Sequence, residues 1–298
     1  MPEKKLVFTG CATALITPFD GDGIDWDALG ALIDWQLAEG VDALLIGGTT
    51  GESAVLDDAE KQALTGFAAD RIGGRVPLIA GCGTNNTAHS VLLAKMACDA
   101  GADALLAVTP YYNKGTQEGF YRHFSAIADA TSLPLLLYNV PSRTGCALGL
   151  ETMLRLAAHP NICGVKEAGN DAAFALRIME ACGDALPLYC GSDSLNGAML
   201  CGGAWGIISV LSNLLPARCA VFCRRAAAGD FAFAMREQRA LMELIDALFA
   251  QVNPIPVKTA LAMQGRCREQ FRLPLCELND VERRSLRNTL LSFGLPAT

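Results

Sequence analysis

Short apolar runs rich in Val, Ile and Leu alternate along the chain with longer amphipathic segments, the pattern of repeated βα units feeding a parallel sheet. Eight such runs stand at Phe8–Leu15, Val41–Gly48, Val76–Gly83, Ala102–Thr109, Leu133–Val140, Ile162–Ala168, Leu186–Asp193 and Trp205–Val210. Eight units in series predict an α/β fold, a closed (β/α)8 or TIM barrel. The segment Gly40-Val41-Asp42-Ala43-Leu44-Leu45 is echoed by Gly101-Ala102-Asp103-Ala104-Leu105-Leu106, each following a helix-like stretch and opening a run, which supports repeated units. A doubly wound sheet would need a dinucleotide-binding loop. Gly81-Cys82-Gly83 is followed by Asn86 where the third glycine of that loop should stand.

Beyond Val210 the pattern changes to long stretches rich in Ala, Leu and Arg, namely Pro216–Gly229, Asp230–Gln251 and Ile255–Gly265. They read as helices with no strands between them. Pro254 and Pro256 break the pattern just before the third, consistent with a stiff turn into it. The predicted organisation is a barrel over residues 1–229 that carries the active site, followed by a C-terminal helical region over 230–298. A length of 298 residues fits one barrel of roughly 250 residues with such an appendage.

Composition narrows the class. With 51% hydrophobic and 18% charged residues, the chain can bury enough apolar surface to offset its ordering entropy, which excludes disorder. A net charge of −7 offers no global basic field to nucleic acid or to an anionic membrane, so an anionic substrate must be met by local charge. Lys4 and Lys5 precede the apolar run Leu6–Phe8 and Cys11, but a signal core needs about 7–15 apolar residues. The segment reads as the start of the first strand. No stretch approaches the roughly 18 uninterrupted apolar residues of a membrane span. The 12 cysteines are scattered, with no CxxC pair, and His89, His123 and His159 lie far apart, so neither a metal site nor a cofactor is expected. Apolar neighbours, as at Cys190 and Cys201, suggest small buried core residues in a reducing cytosol.

In a barrel of this kind chemistry sits at the C-terminal ends of the strands. Those ends carry Thr49-Thr50-Gly51-Glu52-Ser53, Tyr111-Tyr112, Tyr138-Asn139, Lys166-Glu167 and Gly191-Ser192-Asp193. Lys166 ends the apolar strand Ile162-Cys163-Gly164-Val165. Burial favours the neutral amine, the form that attacks a carbonyl at neutral pH; the plainer alternative is a lysine paired with Glu167 or reaching to the rim. Tyr138, one strand earlier, can share the mouth and shuttle protons, or be a core tyrosine bonded to backbone. The Gly47-Gly48-Thr49-Thr50-Gly51 turn offers hydroxyls and free N–H groups to a small carboxylate. Arg143 has the fork geometry for a second carboxylate, though alone it also fits a solvated loop. Asp193 and Glu167 could form an acid/base pair, but nothing in their spacing requires it.

Together, Gly47–Ser53, Thr109-Pro110-Tyr111-Tyr112-Asn113, Tyr138-Asn139-Val140-Pro141-Ser142-Arg143-Thr144-Gly145 and Gly164-Val165-Lys166-Glu167-Ala168 resemble the motifs of the dihydrodipicolinate synthase (4-hydroxy-tetrahydrodipicolinate synthase) family of pyruvate-dependent Schiff-base lyases. The likeness runs from Ala14-Leu15-Ile16-Thr17-Pro18-Phe19 to Asn253-Pro254-Ile255-Pro256-Val257-Lys258. It implies a Lys166 imine with pyruvate and attack of the derived enamine on L-aspartate 4-semialdehyde, the first committed step of lysine and diaminopimelate synthesis, with no cofactor. It further implies a proton relay of Tyr138, Thr49 and Tyr112, the last reaching into a neighbouring subunit's site, hence at least a dimer; the family's usual state implies a homotetramer, a dimer of dimers, in the cytoplasm. Thr50, Arg143, Gly191 and Ile208 are implied as substrate-binding residues.

A lysine-binding regulatory pocket is implied around Ser53, Ala54, Asn85, His89 and Tyr111, and here the chain departs from the lysine-sensitive pattern. His89 replaces a glutamate, and Asp58 and Lys61 replace histidines, so weak or absent lysine inhibition is expected. Three rival readings share the barrel: an N-acetylneuraminate lyase or 2-oxo-3-deoxy sugar-acid aldolase, a non-catalytic sensor of oxo acids, and a phosphate-binding barrel using Gly191-Ser192-Asp193 and Gly202-Gly203. The double threonine and the Ser-Arg-Thr-Gly run oppose the first, the intact relay opposes the second, and the charge of Asp193 opposes the third.

Overall fold

In the computed structural model, which describes residues 4–298, each of the eight apolar runs contains a strand. They are β1 (Gly10–Ala14), β2 (Ala43–Ile46), β3 (Leu78–Gly81), β4 (Ala104–Val108), β5 (Leu135–Asn139), β6 (Ile162–Glu167), β7 (Leu188–Cys190) and β8 (Gly206–Ser209). All pair in parallel in chain order, and β8 closes on β1 through Gly10↔Gly206 and Ala12↔Ile208. The predicted TIM barrel is therefore the observed fold.

Alternation along each strand divides its residues between two apolar layers. One set faces the barrel axis: Ala12 and Ala14, Ala43 and Leu45, Ile79, Ala104 and Leu106, Leu136 and Tyr138, Tyr189 and Ile208 form one cluster. The other set, including Leu44, Leu105, Leu137 and Val165, packs outward against the helices. The bottom of the barrel is closed by Phe8, whose ring stacks on Tyr189 at 4.4 Å between centroids, and the Tyr189 hydroxyl donates to the Phe8 carbonyl at 2.7 Å. The run Leu6–Phe8 thus underlies the barrel, and the first strand starts only at Gly10.

Helices α1 (Trp26–Ala38), α2 (Asp58–Ile72), α3 (Thr87–Asp99), α4 (Gln117–Ala128), α5 (Pro141–Thr144), α6 (Leu150–Ala157), α7 (Ala172–Cys182), α8 (Asn196–Cys201) and α9 (Pro216–Ala227) follow the strands. Aspartate or asparagine caps start α1, α2, α3 and α7 by accepting a free backbone N–H. Beyond them lie α10 (Phe231–Leu248), α11 (Ile255–Met263) and α12 (Asp280–Ser292). Leu241, Leu244, Val257, Leu261 and Leu286 from these last helices belong to the same apolar cluster as the outward faces of the strands. The apolar pattern carries no sign of α12, because Leu286 and Leu290 are its only buried residues. Its sequence signal is a capping box, Asn279 with Glu282.

Most of the cysteines are packing residues. Cys11, Cys82, Cys163, Cys182, Cys190, Cys219 and Cys223 are buried, Cys276 alone is exposed, and all 12 are free thiols. No helix among the described residues is long and apolar enough to cross a membrane.

Candidate active site

The C-terminal mouth of the barrel is organised by strand register. Val108, Tyr138, Lys166 and Tyr189 are successive register partners across β4, β5, β6 and β7, and because the strands of such a barrel tilt, the series descends from the mouth at Tyr138 and Lys166 toward Tyr189. Lys166 follows Gly164 by two residues, which turns both inward. A side chain at Gly164 would meet Leu136 and the Tyr189 ring at 2.8 and 3.0 Å, so glycine there leaves the axis to those larger groups. Gly191 does the same for Lys166, since a Cβ at Gly191 would sit 2.8 Å from the lysine's Cγ and Cε.

Lys166 is buried, 5% exposed, and its Nζ lies 4.4 Å from the centroid of the Tyr138 ring. Burial drags its pKa from 10.5 down to about 8, with Asp193 pulling it up and the Arg143 guanidinium pushing it further down. Pairing with Glu167 does not occur. That carboxylate faces away from the axis, accepting from the Asn139 amide at 2.7 Å and from the Gly169 N–H at 2.7 Å. Burial pushes the Glu167 carboxyl up. Asp193 is likewise committed to the backbone, accepting from the N–H groups of Val210 and Leu211 at 2.9 Å and from the Asn196 amide at 3.0 Å. The two carboxylates therefore do not form the acid/base pair that sequence left open.

Tyr138 is buried, and desolvation raises its pKa, opposed by Arg143 and by a hydrogen bond with the Thr49 side chain. Tyr189, the register partner of Lys166 on β7, points toward the bottom of the barrel, where its hydroxyl donates to the Phe8 carbonyl. Of the two inward-facing tyrosines, Tyr138 is the one beside both Lys166 and Thr49.

The Gly47–Ser53 turn is held by backbone bonds from Glu52 N to Thr49 O and from Ser53 N to Gly48 O. Thr50 is buried, and its Oγ1 accepts from the Asn253 side-chain amide at 3.0 Å. With that lone pair occupied, the Thr50 hydroxyl proton is free to donate elsewhere. Arg143 rides on α5, which Pro141 starts and Gly145 ends in the left-handed region, φ 70°. Its Nη2 donates to the Asn253 carbonyl at 3.3 Å. Ile208 lies inside the barrel on β8 with its side chain in the axial cluster.

A cavity of about 470 Å³ opens over these groups, lined by Gly48, Thr49, Tyr138, Arg143 and Asn253 among others. Lys166, Thr50, Gly191 and Ile208 are not on its wall. The same cavity extends outward past Ser53, Ala54, His89 and Tyr111, together with Asp58 and Lys61. There the His89 ring nitrogen lies 2.9 and 3.0 Å from the two oxygens of Asp58. Asn85, expected in this pocket, is not on the cavity wall, and its carbonyl accepts from the Asn113 side-chain amide at 2.9 Å. Tyr112 is not on the cavity wall. It is 88% exposed, with a left-handed backbone at φ 70°. Gly202 and Gly203 come after α8 and before β8, at the end of the barrel opposite the mouth. They cannot join Gly191-Ser192-Asp193 in a phosphate site, because the mouth is built from the loops that leave the strands and theirs is a loop that enters one.

Two contributors were legible only as part of a motif. Asn253 and Lys258 come from the C-terminal helical region. The signal for Lys258 is a lysine inside the apolar helix Ile255–Met263, where a side chain that is wholly buried needs a partner.

Fold and site define a class: parallel eight-stranded barrels that present an amine of lowered pKa at the rim of the sixth strand, between a tyrosine and a carboxylate-sized polar turn. Comparison with known proteins narrows it. The dihydrodipicolinate synthetase family profile matches residues 7–292. A 4-hydroxy-tetrahydrodipicolinate synthase of Nitratidesulfovibrio vulgaris is 44% identical over 97% of this chain and 99% of its own length. The crystal structure of dihydrodipicolinate synthase from Aquifex aeolicus superposes with a TM-score of 0.96 at 41% identity, covering 98% of this chain and 100% of that one. The chloride-inhibited enzyme of Acinetobacter baumannii, complexed with pyruvate, superposes with a TM-score of 0.94 at 40% identity over 96% of this chain and 99% of its own. The chain belongs to the dihydrodipicolinate synthetase family.

Proposed function

We propose that this enzyme condenses pyruvate with L-aspartate 4-semialdehyde to give 4-hydroxy-tetrahydrodipicolinate, through an imine on Lys166. The observation that carries the mechanism is a buried lysine of lowered pKa against the Tyr138 ring, beneath a cavity edged by Thr49 and Arg143. The Nζ lone pair attacks C2 of pyruvate, water leaves, and an iminium forms. Loss of a C3 proton gives an enamine, and its C3 forms the new bond to the aldehyde carbon of the second substrate. That substrate's own amine then adds to C2, the ring closes, and Lys166 departs as the free amine.

Tyr138 and Thr49 move protons in these steps, and Tyr112 completes the relay from a neighbouring subunit, in a dimer of dimers. The backbone N–H groups and hydroxyls at Thr49 and Thr50 hold the pyruvate carboxylate, which needs local donors because the chain is acidic overall. Gly191 and Ile208 shape the space beside the lysine. Arg143 receives the carboxylate of the semialdehyde, and this separates the reading from sugar-acid cleavage, whose polyhydroxyl substrates need no such charge. The test is turnover of pyruvate with the semialdehyde beside cleavage of N-acetylneuraminate and of 2-oxo-3-deoxy sugar acids by the same preparation. Condensation with the semialdehyde alone is expected; activity confined to a sugar acid would overturn the assignment of Arg143.

A further inference from the structure

The turn that meets the pyruvate carboxylate is fastened from below by a group with no part in the chemistry. Lys258, on α11, is wholly buried and donates to Glu52 Oε1 at 2.6 Å, and the Glu52 side chain is equally buried. The ammonium also lies 4.0 Å from the centroid of the Phe19 ring and 5.2 Å from that of Phe271. The second Glu52 oxygen accepts from the backbone N–H of Arg272 at 3.4 Å. Neither side chain reaches water, and the Arg272 guanidinium also stands over the Phe19 ring, at 4.4 Å from its centroid.

Such a pair is not explained by stability. Two charges taken out of water recover little more than their desolvation cost, and an apolar pair of the same volume commonly serves a fold as well. What an ion pair adds is direction. Glu52 needs it, because its backbone is left-handed at φ 55°, a conformation that a non-glycine residue keeps only when its surroundings impose it. Glu52 directly follows Gly51, where the chain is already crowded: a Cβ at Gly51 would lie 3.2 Å from Gly47 N, Leu15 O and Thr17 Oγ1. Thr17 donates to the Gly51 carbonyl at 2.8 Å on one side, and Lys258 draws the Glu52 carboxylate down on the other. Between these anchors the path of Thr49 and Thr50 is set.

We propose that Lys258 and Glu52 are a positioning pair for the 2-oxo acid, holding the Thr49-Thr50 turn so that its N–H groups and hydroxyls converge on the substrate carboxylate. The C-terminal helical region is on this account part of the pyruvate site. The inference rests on the proposed function, in which that turn binds pyruvate.

The test compares wild type with the Glu52→Gln/Lys258→Met double variant, which removes both charges and leaves neither one stranded. Steady-state kinetics should show KM for pyruvate raised about tenfold or more, with KM for the semialdehyde and kcat at saturating pyruvate within about threefold, the signature of lost ground-state positioning. Leu286→Ala serves as control, loosening the C-terminal helices without touching the turn; its KM for pyruvate should stay at the wild-type value. A folded double variant with wild-type KM for pyruvate would overturn the proposal, as would an equal rise in the Leu286→Ala control. Should the double variant not fold, Glu52→Gln alone keeps the side chain's shape, and an unchanged KM there is equally decisive against the pair. Borohydride trapping of pyruvate on the wild type, run alongside, tells the two readings apart: no trapping removes the imine mechanism itself, whereas normal trapping with unmoved KM values removes only the positioning role.

Discussion

The pH dependence of imine formation is set by the burial of Lys166. With its pKa at about 8, about one amine in ten is neutral at pH 7, whereas at an ordinary lysine value only about one in three thousand would be. The structure therefore supplies about a 300-fold larger population of nucleophile at neutral pH. With pyruvate saturating and cyanoborohydride as the trap, the initial rate of adduct formation, read by intact mass, should rise about tenfold from pH 6 to 7. It should rise about fivefold from 7 to 8 and less than about twofold from 8 to 9. Arg143 is one of the groups pushing this pKa down. The Arg143→Ala variant should therefore trap pyruvate with its midpoint moved to higher pH, and it should still reach full trapping above that midpoint. A wild-type midpoint near 10, or a rate flat from pH 6 to 9, would refute the claim that desolvation prepares this amine.

Lys166→Ala should abolish trapping outright, and an adduct surviving that change would place the nucleophile elsewhere. Arg143→Ala, by contrast, should raise KM for the semialdehyde by about 10- to 100-fold, the value of a charge-assisted contact to a carboxylate; an unchanged KM would remove Arg143 from the site. Millimolar lysine should leave the steady-state rate nearly unaltered, because the two carboxylates lining the cavity are already engaged, Asp58 by His89 and Glu52 by Lys258, and Lys61 adds a like charge; strong suppression would refute this. His123 is buried with its pKa lowered to about 4 by desolvation. The unfolded chain then binds the extra proton between pH 6.5 and 4, so stability falls as pH drops through that window, by about 2 kcal/mol between pH 7 and 5. Denaturant titrations of wild type and His123→Gln should show the variant losing less over that interval; parallel losses would assign the acid sensitivity to other groups.

Much of this molecule is legible along the chain because its main elements announce themselves locally. A parallel strand buried on both faces must be an apolar run, and a helix between two such strands must be amphipathic, so eight runs in order led to the barrel. Closure places every strand's C-terminal end at one mouth, and this is why Tyr138 and Lys166, 28 residues apart, belong to one site. A lysine at the end of an apolar strand also declares its own desolvation.

Other features depend on what meets what in space. Along the chain Glu167 and Asp193 have the same standing as Lys166, yet one turns outward to Asn139 and the other caps the backbone at Val210 and Leu211, because strand alternation and loop paths direct carboxylates that composition cannot tell apart. Tyr189 and Tyr138 are both register partners of Lys166, yet Tyr189 turns to Phe8 at the closed end of the barrel while Tyr138 faces the mouth. The ties from Asn253 to Thr50 and from Lys258 to Glu52 join residues 203 and 206 positions apart. No local pattern encodes such a contact: a periodicity fixes which face of an element is buried, whereas the partner found there is chosen by the packing of the whole chain.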